Sequence, residues 1–370
     1  MTPAWLRRSP RWTLALGLPL VLLAVAGRLA DVRAGLHLLA GCGAWCLLAL
    51  LPVGVMLAVD SAGWRLLLGP DARARVPLAA AYASRMGGEA VAQTLPSAGI
   101  AGDAASAWTL TRRTGVPLGE ALGSLAVRRV LLAPGHAAML GAAALLASGL
   151  PNAPAGLVAA LTLSALGLTV VAVAGAGLLA RGKPFACLQL AMRRAPWAGL
   201  RAWAGAVRLC EADRAAGRLL AGPWGPRAAA VLLFALVFAA ESLETFLFLR
   251  LLGAPVTLRQ TLAVEPLASL LRALAFFAPA GLGIQDLGYV ALFRLVDVPG
   301  AASVSAAFVV LKRLKELAWV SGGWTVLLAA EGNAAGEGAS ERKEAPDPVR
   351  LRHDQPDDTD ASGRARAARA

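Results

Sequence analysis

Two segments of the chain place an aspartate at the same distance from a proline. Pro96 precedes Asp103 by seven residues, and Pro279 precedes Asp286 by seven. About 25 residues beyond each aspartate, a pair of basic residues interrupts an apolar segment: Arg128 with Arg129, and Lys312 with Arg313. Carboxylates and cations at recurring positions in apolar sequence are candidates for binding a charged ligand.

The sequences "LPSAGIAGD" and "APAGLGIQD" at these prolines predict breaks between two half-helices. The half-helix that begins near Gly283 presents free backbone N–H groups and the positive end of its dipole, which suits an anionic group. Glycines let such a group approach the backbone, and Arg and Lys side chains pair well with phosphate. The candidate substrate-binding residues are Pro96, Gly102, Asp103, Arg128, Arg129, Glu265, Arg272, Pro279, Gly281, Gly283, Gln285, Asp286, Lys312 and Arg313.

Neither the cysteines nor the histidines form a catalytic or metal-binding pattern. Cys42 and Cys46 lie one helical turn apart in an apolar run, and no CxxC spacing occurs anywhere in the chain. The three histidines are scattered: His37, His136 and His353. We therefore expect no catalytic residue, no metal site and no cofactor.

The composition predicts an all-α integral membrane protein. Hydrophobic residues make up 57% of the 370 residues and charged residues only 16%, and the apolar residues arrive in long runs such as 34–58, 154–180 and 228–249. The net charge of +13 comes with no nucleic-acid-binding motif. Basic residues beside apolar runs instead indicate cytoplasmic loops.

The positive-inside rule gives a topology with both termini in the cytoplasm. It predicts about six transmembrane helices plus two re-entrant hairpins, because the apolar segment 78–113 has both ends on one side. The helices are expected at about 12–30, 34–59, 119–149, 154–180, 228–251 and 300–330, and the hairpins at 78–113 and 259–297. Residues 1–27 also resemble a signal peptide, but the spans that follow favour a retained first helix.

The two halves, about 12–149 and 154–330, are predicted to form an inverted repeat within a membrane domain of residues 1–330. The basic cytoplasmic segment 181–227 links them. Its part from 196 to 222 is either a helix on an anionic leaflet, in contact with lipid head groups, or a solvated connector. Residues 331–370 are expected to form a disordered cytoplasmic tail.

The charged residues assigned to the membrane interior are nearly balanced: Arg128, Arg129, Arg272, Lys312, Arg313 and Lys315 against Glu89, Asp103, Glu241, Glu244, Glu265, Asp286 and Glu316. Because a charge at the bilayer centre costs about 3 kcal/mol, this balance indicates a polar network lining a cavity. Glu89 and Lys315 are expected near an interface. Asp103 and Asp286 could cap the half-helices, pair with the basic residues while no ligand is bound, or carry a coupled proton.

These hairpins and basic pairs resemble the flippase-like transmembrane region of the lysylphosphatidylglycerol synthases. The resemblance covers roughly 10–330, and "EPLASLLRALAFFAPAGLGIQDLGYVALF" is most similar to hopanoid-associated membrane proteins of that superfamily. It implies an all-helical domain of the bacterial inner membrane that moves lipids between leaflets. The residues that match the family pattern are Pro96, Gly102, Asp103, Arg129, Pro279, Gly281, Gly283, Asp286 and Arg313.

Two positions depart from the family pattern, which often has Glu where this chain has Asp286 and Arg where it has Ser106. The second departure puts a phosphate contact at that position in doubt. The tail is too short for an aminoacyl-transferase domain, so lysine transfer is not expected.

We therefore expect a lipid transporter that binds an amphiphilic lipid, such as a hopanoid or another polyprenoid-derived lipid, in a polar cavity at the membrane midplane. The chain has no GxxxxGK[ST] motif, so transport would depend on an ion gradient, a downhill lipid gradient or a partner. Two alternatives remain: an intramembrane lipid-modifying enzyme with Glu241, Glu265 or Asp286 as base, and a noncatalytic scaffold for lipid-biosynthesis enzymes.

Overall fold

The computed structural model describes residues 31–95, 99–150, 154–194, 201, 209–275 and 278–344. All regular elements in these residues are helical. Up to the link between the halves they are α1 (Val32–Cys42), a 3₁₀ helix (Gly43–Leu50), α2 (Leu51–Leu66), α3 (Pro70–Arg75), α4 (Leu78–Thr94), α5 (Ile100–Thr114), α6 (Leu118–Ser148) and α7 (Ala155–Arg181). Beyond it they are α8 (Pro184–Arg193), α9 (Cys210–Ala221), α10 (Trp224–Leu251), α11 (Leu258–Leu274), a 3₁₀ helix (Pro279–Gly281), α12 (Ile284–Leu295) and α13 (Ala301–Glu344).

Four helical segments among the described residues are long and apolar enough to cross a membrane. They are Val32–Leu66, Leu118–Ser148, Ala155–Arg181 and Trp224–Leu251. Each corresponds to a predicted span, whereas the predicted helix at 12–30 lies outside the described residues. The predicted span at 300–330 is α13, whose apolar sequence is interrupted by Lys312, Arg313, Lys315 and Glu316.

Helix α6 is the central helix of the bundle and packs against α5, α7, α9, α10 and α11. Small residues on its surface permit these close contacts. At Gly135, a Cβ atom would lie only 3.1 Å from the backbone nitrogen of Ala235 in α10. The end of the basic link also packs on α6, since Ala212, Ala215 and Ala216 of α9 are buried. One face of this part of the link is therefore attached to the bundle, and its predicted contact with lipid head groups stays a prediction.

The first predicted hairpin consists of α4 and α5, which pack against each other at a crossing of glycines. A Cβ atom at Gly102 would lie 2.5 Å from the carbonyl oxygen of Gly88 and 2.7 Å from Cβ of Ala92. Gly99 precedes α5 with φ of 72°, a left-handed conformation that glycine adopts at little cost. The break predicted from "LPSAGIAGD" is thus present, although Pro96 itself lies outside the described residues.

The second predicted hairpin, α11 and α12, is broken over a longer stretch. Ala280, Gly281 and Gly283 have φ of 52°, 64° and 79°, so the chain turns through three left-handed residues before α12. The Asp286 carboxylate then accepts a hydrogen bond of 2.9 Å from the backbone nitrogen of Gly283. Asp286 therefore has the capping role that was one of the predicted alternatives.

The chain forms two compact units, one up to Leu327 and one from Leu328 onward. Helix α13 continues to Glu344, past the predicted end of the last span at 330. The prediction of a disordered tail for residues 331–370 stays a prediction. Residues 345–370 lie outside the described residues.

Replacement of Gly88 by alanine should destabilise the protein. The added methyl group would overlap the Ser106 side chain and the Gly102 carbonyl, and such overpacking costs about 1–3 kcal/mol. We expect a lower unfolding temperature of the detergent-solubilised protein. Gly141→Ala in α6 is the matched control, because a Cβ atom there has no neighbour within 4 Å among the described residues. Equal unfolding temperatures for the two variants would contradict the close crossing.

Candidate functional site

A cavity of about 250 Å³, here called the central cavity, lies between α2, α4, α6, α10, α11 and α13. Five acidic and five basic side chains line it: Asp60, Glu89, Glu241, Glu244, Glu316, Arg85, Arg128, Arg272, Lys312 and Lys315. These formal charges sum to zero. The cavity therefore offers a strongly polar but electrically balanced surface inside the bundle.

A second cavity of about 280 Å³, here called the tip cavity, lies where the two helix breaks meet. Gly99, Gly102 and Asp103 line it from the first hairpin, and Ala280 and Gly281 from the second. Its ionisable lining residues are Arg85, Arg128, Arg129, Arg272, Glu89 and Asp103. The lining thus has four basic and two acidic groups, and three of the basic ones, Arg85, Arg128 and Arg272, pair with the carboxylates of Asp60 and Glu241 just outside it.

Asp60 of α2 is the centre of the first ion network. Its Oδ1 atom lies 2.5 Å from Nη2 of Arg128, and its Oδ2 atom lies 2.9 Å from Nε of Arg85. Arg85 also reaches Asp103 at 3.5 Å and donates to the Ser106 hydroxyl at 3.1 Å. The side chains of Asp60, Arg85 and Arg128 are each more than nine-tenths buried. Three helices are thus joined by one carboxylate.

The second ion network surrounds Lys312 of α13. Its Nζ atom donates to the Tyr289 hydroxyl at 2.7 Å, and that hydroxyl donates to Glu265 Oε1 at 2.7 Å. Glu265 also accepts a 2.6 Å hydrogen bond from Thr245, and lies 3.6 Å from Lys312. Since Glu265 is only 1% exposed and lies behind Lys312, its role is to hold that lysine.

Each hairpin aspartate pairs with the second residue of its basic pair. Arg129 Nη2 lies 2.5 Å from Asp103 Oδ2, and Arg313 Nη2 lies 2.6 Å from Asp286 Oδ1. The two pairs differ in exposure, because the Arg129 side chain is 45% exposed and the Asp286 side chain only 3%. Arg129 and Asp103 line the tip cavity, whereas Asp286 and Arg313 form the support of the second break.

Arg313 also donates a 3.0 Å hydrogen bond to the carbonyl oxygen of Ala280. Ala280 lines the tip cavity and has a left-handed conformation that costs energy in a residue other than glycine. The Arg313 guanidinium therefore fixes this backbone turn, together with its contact to Glu316 at 2.5 Å. Arg313 is a positioning residue for the backbone turn at the second helix break.

Arg272 connects the two cavities, since its side chain lines both. Its Nη2 atom lies 2.7 Å from Glu241 Oε1. A Cβ atom at Gly281 would lie 3.1 Å from Cγ of Arg272, so the second break packs closely on this side chain. Arg272 thus lies between the tip cavity and the central cavity and contributes to the lining of both.

The remaining candidate residues have different positions. Gly283 contributes its backbone N–H to the Asp286 carboxylate. Gln285 is buried next to Tyr289, whose hydroxyl accepts from its side-chain amide at 3.3 Å. Pro279 begins the 3₁₀ turn of the second break. Gly102, Asp103, Arg128, Arg129, Arg272, Gly281 and Lys312 are the candidates that line a cavity.

Several residues of the site were not predicted. Asp60 was placed just after a span ending at 59, but the helix continues to Leu66 and buries it. Arg85 was also missed, although an arginine within "AAAYASRMGGEA" was a signal that could have identified it. Lys315 was predicted near an interface, yet it is buried and lies 2.5 Å from Glu244 Oε1. The carboxylate of Glu244 keeps it inside.

The substitution Asp60→Asn should strongly destabilise the protein. Arg85 and Arg128 would remain buried without the carboxylate they share, and breaking a buried pair costs about 3–5 kcal/mol. We expect a marked fall in the unfolding temperature in detergent, while Asp71→Asn at an exposed position of α3 has little effect. An unfolding temperature equal to that of the parent would show that Asp60 does not hold these helices together.

Among curated proteins and among solved structures, no match to the chain is found. The family model described as the lysylphosphatidylglycerol synthase transmembrane region matches residues 12–311, a range that contains both hairpins and both basic pairs. The chain therefore belongs to the family of lysylphosphatidylglycerol synthase transmembrane regions, a family of membrane proteins involved in lipid biology.

Proposed function

We propose that this protein moves a lipid between the leaflets of a bacterial inner membrane. The observation that carries the proposal is the tip cavity, where two broken helical hairpins meet around four arginines. A lipid carries its head group across the apolar bilayer only if the protein replaces the interactions that water provides. A cavity lined by arginines inside a membrane domain supplies such interactions for an anionic head group.

The geometry of the tip cavity suits a phosphate-like group. Arg129 has the most exposed side chain of the four arginines that line the tip cavity. Its guanidinium can form paired hydrogen bonds with phosphate oxygens. Gly99 lies directly beside this guanidinium, since a Cβ atom at Gly99 would lie 2.8 Å from Nη2 of Arg129. While no lipid is bound, the Asp103 carboxylate takes the place of the phosphate, since it pairs with Arg129 at 2.5 Å.

We further propose that the hairpins belong to an inverted repeat, which would let the site open to each leaflet in turn. The order of elements supports this proposal. Helix α2 is followed by the hairpin α4 and α5 and by α6, and helix α10 is followed by the hairpin α11 and α12 and by α13. The Asp103–Arg129 and Asp286–Arg313 pairs occupy equivalent places in this order.

The apolar part of the substrate is proposed to be hopanoid-like. The support is the resemblance of residues 265–293 to hopanoid-associated membrane proteins. The proposed mechanism has no chemical step, so the lipid leaves the protein unaltered and the energy comes from a gradient or a partner. Mass spectrometry of lipids incubated with the purified protein tests this, since a product of altered mass would instead indicate an enzyme.

Lipid exchange in proteoliposomes tests the proposed function directly. A fluorescent lipid in the inner leaflet is protected from an impermeant quencher until it moves to the outer leaflet. We expect faster loss of protection with the protein present than in protein-free vesicles. If vesicles with and without the protein lose protection at the same rate for every anionic lipid tried, the proposal is rejected.

In this assay, Arg129→Ala should lower the exchange rate of a phosphate-bearing lipid. A charge-assisted hydrogen bond contributes about 1.5–3 kcal/mol, so we expect a reduction of roughly tenfold to a hundredfold. Arg112→Ala is the matched control, because Arg112 lies at the end of α5, where it contacts Trp108 and lines neither cavity. Equal rates for the two variants would remove Arg129 from the site.

The proposed orientation places the segment 181–227 in the cytoplasm and the loop between α10 and α11 outside. Cys187 is exposed, and so is Pro255 in that loop. Starting from a variant with the other native cysteines replaced by serine, we expect an impermeant maleimide to label Pro255→Cys in intact cells. It should label Cys187 only after permeabilisation. The reverse pattern would invert the topology.

A further inference from the structure

Three carboxylates that line the central cavity have one oxygen in an ion pair and one without a partner. The paired oxygens lie 2.5–2.7 Å from a cationic nitrogen, in Glu241–Arg272, Glu244–Lys315 and Glu316–Arg313. The other oxygens are Oε2 of Glu241, Oε2 of Glu244 and Oε1 of Glu316. They are buried and have no hydrogen-bond partner in the described part of the chain. Glu244 itself is only 2% exposed.

Buried acceptors of this kind require a hydrogen-bond donor. Their charge, however, is already neutralised, because each carboxylate has a basic partner and the cavity holds five acidic and five basic groups. An ammonium group or a metal ion would add an uncompensated positive charge beside five cations. A hydroxyl group donates a hydrogen bond without adding charge, and its oxygen accepts from nearby Lys and Arg.

The central cavity is also continuous in its lining with the tip cavity. The two share the side chains of Arg85, Glu89, Gln93, Arg128, Leu132 and Arg272. The two cavities are therefore adjacent, and a head group that extends from one to the other would place its anionic part among the arginines of the tip cavity and its remainder in the balanced central cavity. Phe238 and Trp319 line the central cavity as well.

We propose that the lipid head group combines a phosphate with an uncharged polyhydroxylated group such as a sugar or cyclitol. The phosphate binds in the tip cavity beside Arg129, and the hydroxyls donate to the free oxygens of Glu241, Glu244 and Glu316. This inference rests on the proposed transport function and adds the substrate class to it.

Proteoliposomes that contain the full chain test the substrate class with fluorescent lipids of identical acyl chains. The head groups are phosphoinositol, phosphocholine, phosphoethanolamine and an unphosphorylated glucosyl group. We expect exchange of the phosphoinositol lipid to be at least about tenfold faster than that of the other three, since each lacks the hydroxyls or the phosphate. Equal protein-dependent rates for all four would overturn the inference and leave the transport function intact.

Two further outcomes would also overturn it. Fastest exchange of the phosphoethanolamine lipid would assign an ammonium group to the carboxylates. Uptake of free inositol phosphate at the rate of the lipid would assign a soluble ligand. Protein-independent exchange of every lipid would instead reject the transport function itself, so the two failures are distinguishable.

The substitution Glu316→Gln tests the role of the carboxylates. The amide nitrogen would replace an acceptor with a donor, while Arg313 would keep its bond to Asp286. We expect the ratio of phosphoinositol to phosphocholine exchange to fall about threefold to tenfold. Glu120→Gln, at a glutamate in the first turn of α6 outside both cavities, should keep the parent ratio. If Glu316→Gln and the further variant Glu241→Gln both keep that ratio, the hydroxyl assignment is wrong.

Discussion

A charged side chain is stable in a low-dielectric interior only when an opposite charge and hydrogen bonds replace its hydration. In this protein the requirement determines which helices are neighbours. Asp60 binds α2 to α4 and α6 through two arginines, and Glu244 binds α10 to α13 through Lys315. Removal of any one partner leaves a buried charge on another helix. The pairs therefore specify the arrangement of the bundle more than they stabilise it, because desolvation offsets much of their attraction.

The same pairing gives the two helix breaks different properties. At the second break the Asp286 carboxylate accepts a hydrogen bond from the backbone of Gly283 and pairs with Arg313. These contacts together hold a strained turn. At the first break the Asp103–Arg129 pair faces the tip cavity, and half of the Arg129 side chain is accessible. The same Pro-to-Asp spacing thus accompanies a backbone support at the second break and an ion pair that faces a cavity at the first.

The sequence predicted the helices and breaks well, because hydropathy and the Pro-Gly segments report on short stretches of chain. It predicted partners less well. Asp60 and Arg128 are distant in sequence, and no local pattern indicates that they meet. Asp60 was missed because the predicted span ended one residue before it, and helix boundaries predicted from sequence are commonly wrong by a few residues. Tyr289 was missed because an aromatic residue in a helix usually indicates packing, and only the fold shows its hydroxyl between Lys312 and Glu265.

Arg272 belongs to the walls of both cavities while its guanidinium is bonded to Glu241. An anion that draws this guanidinium toward the tip cavity would weaken the Arg272–Glu241 bond. Glu241 would then be a better hydrogen-bond acceptor for a group in the central cavity. If a head group binds as proposed, affinity for its two parts would be linked through a single side chain. Thermodynamic linkage is reciprocal, so a group bound at Glu241 would in turn release Arg272 toward the anion. A molecule that offers both parts would gain from this cooperation, and a molecule that offers one would not.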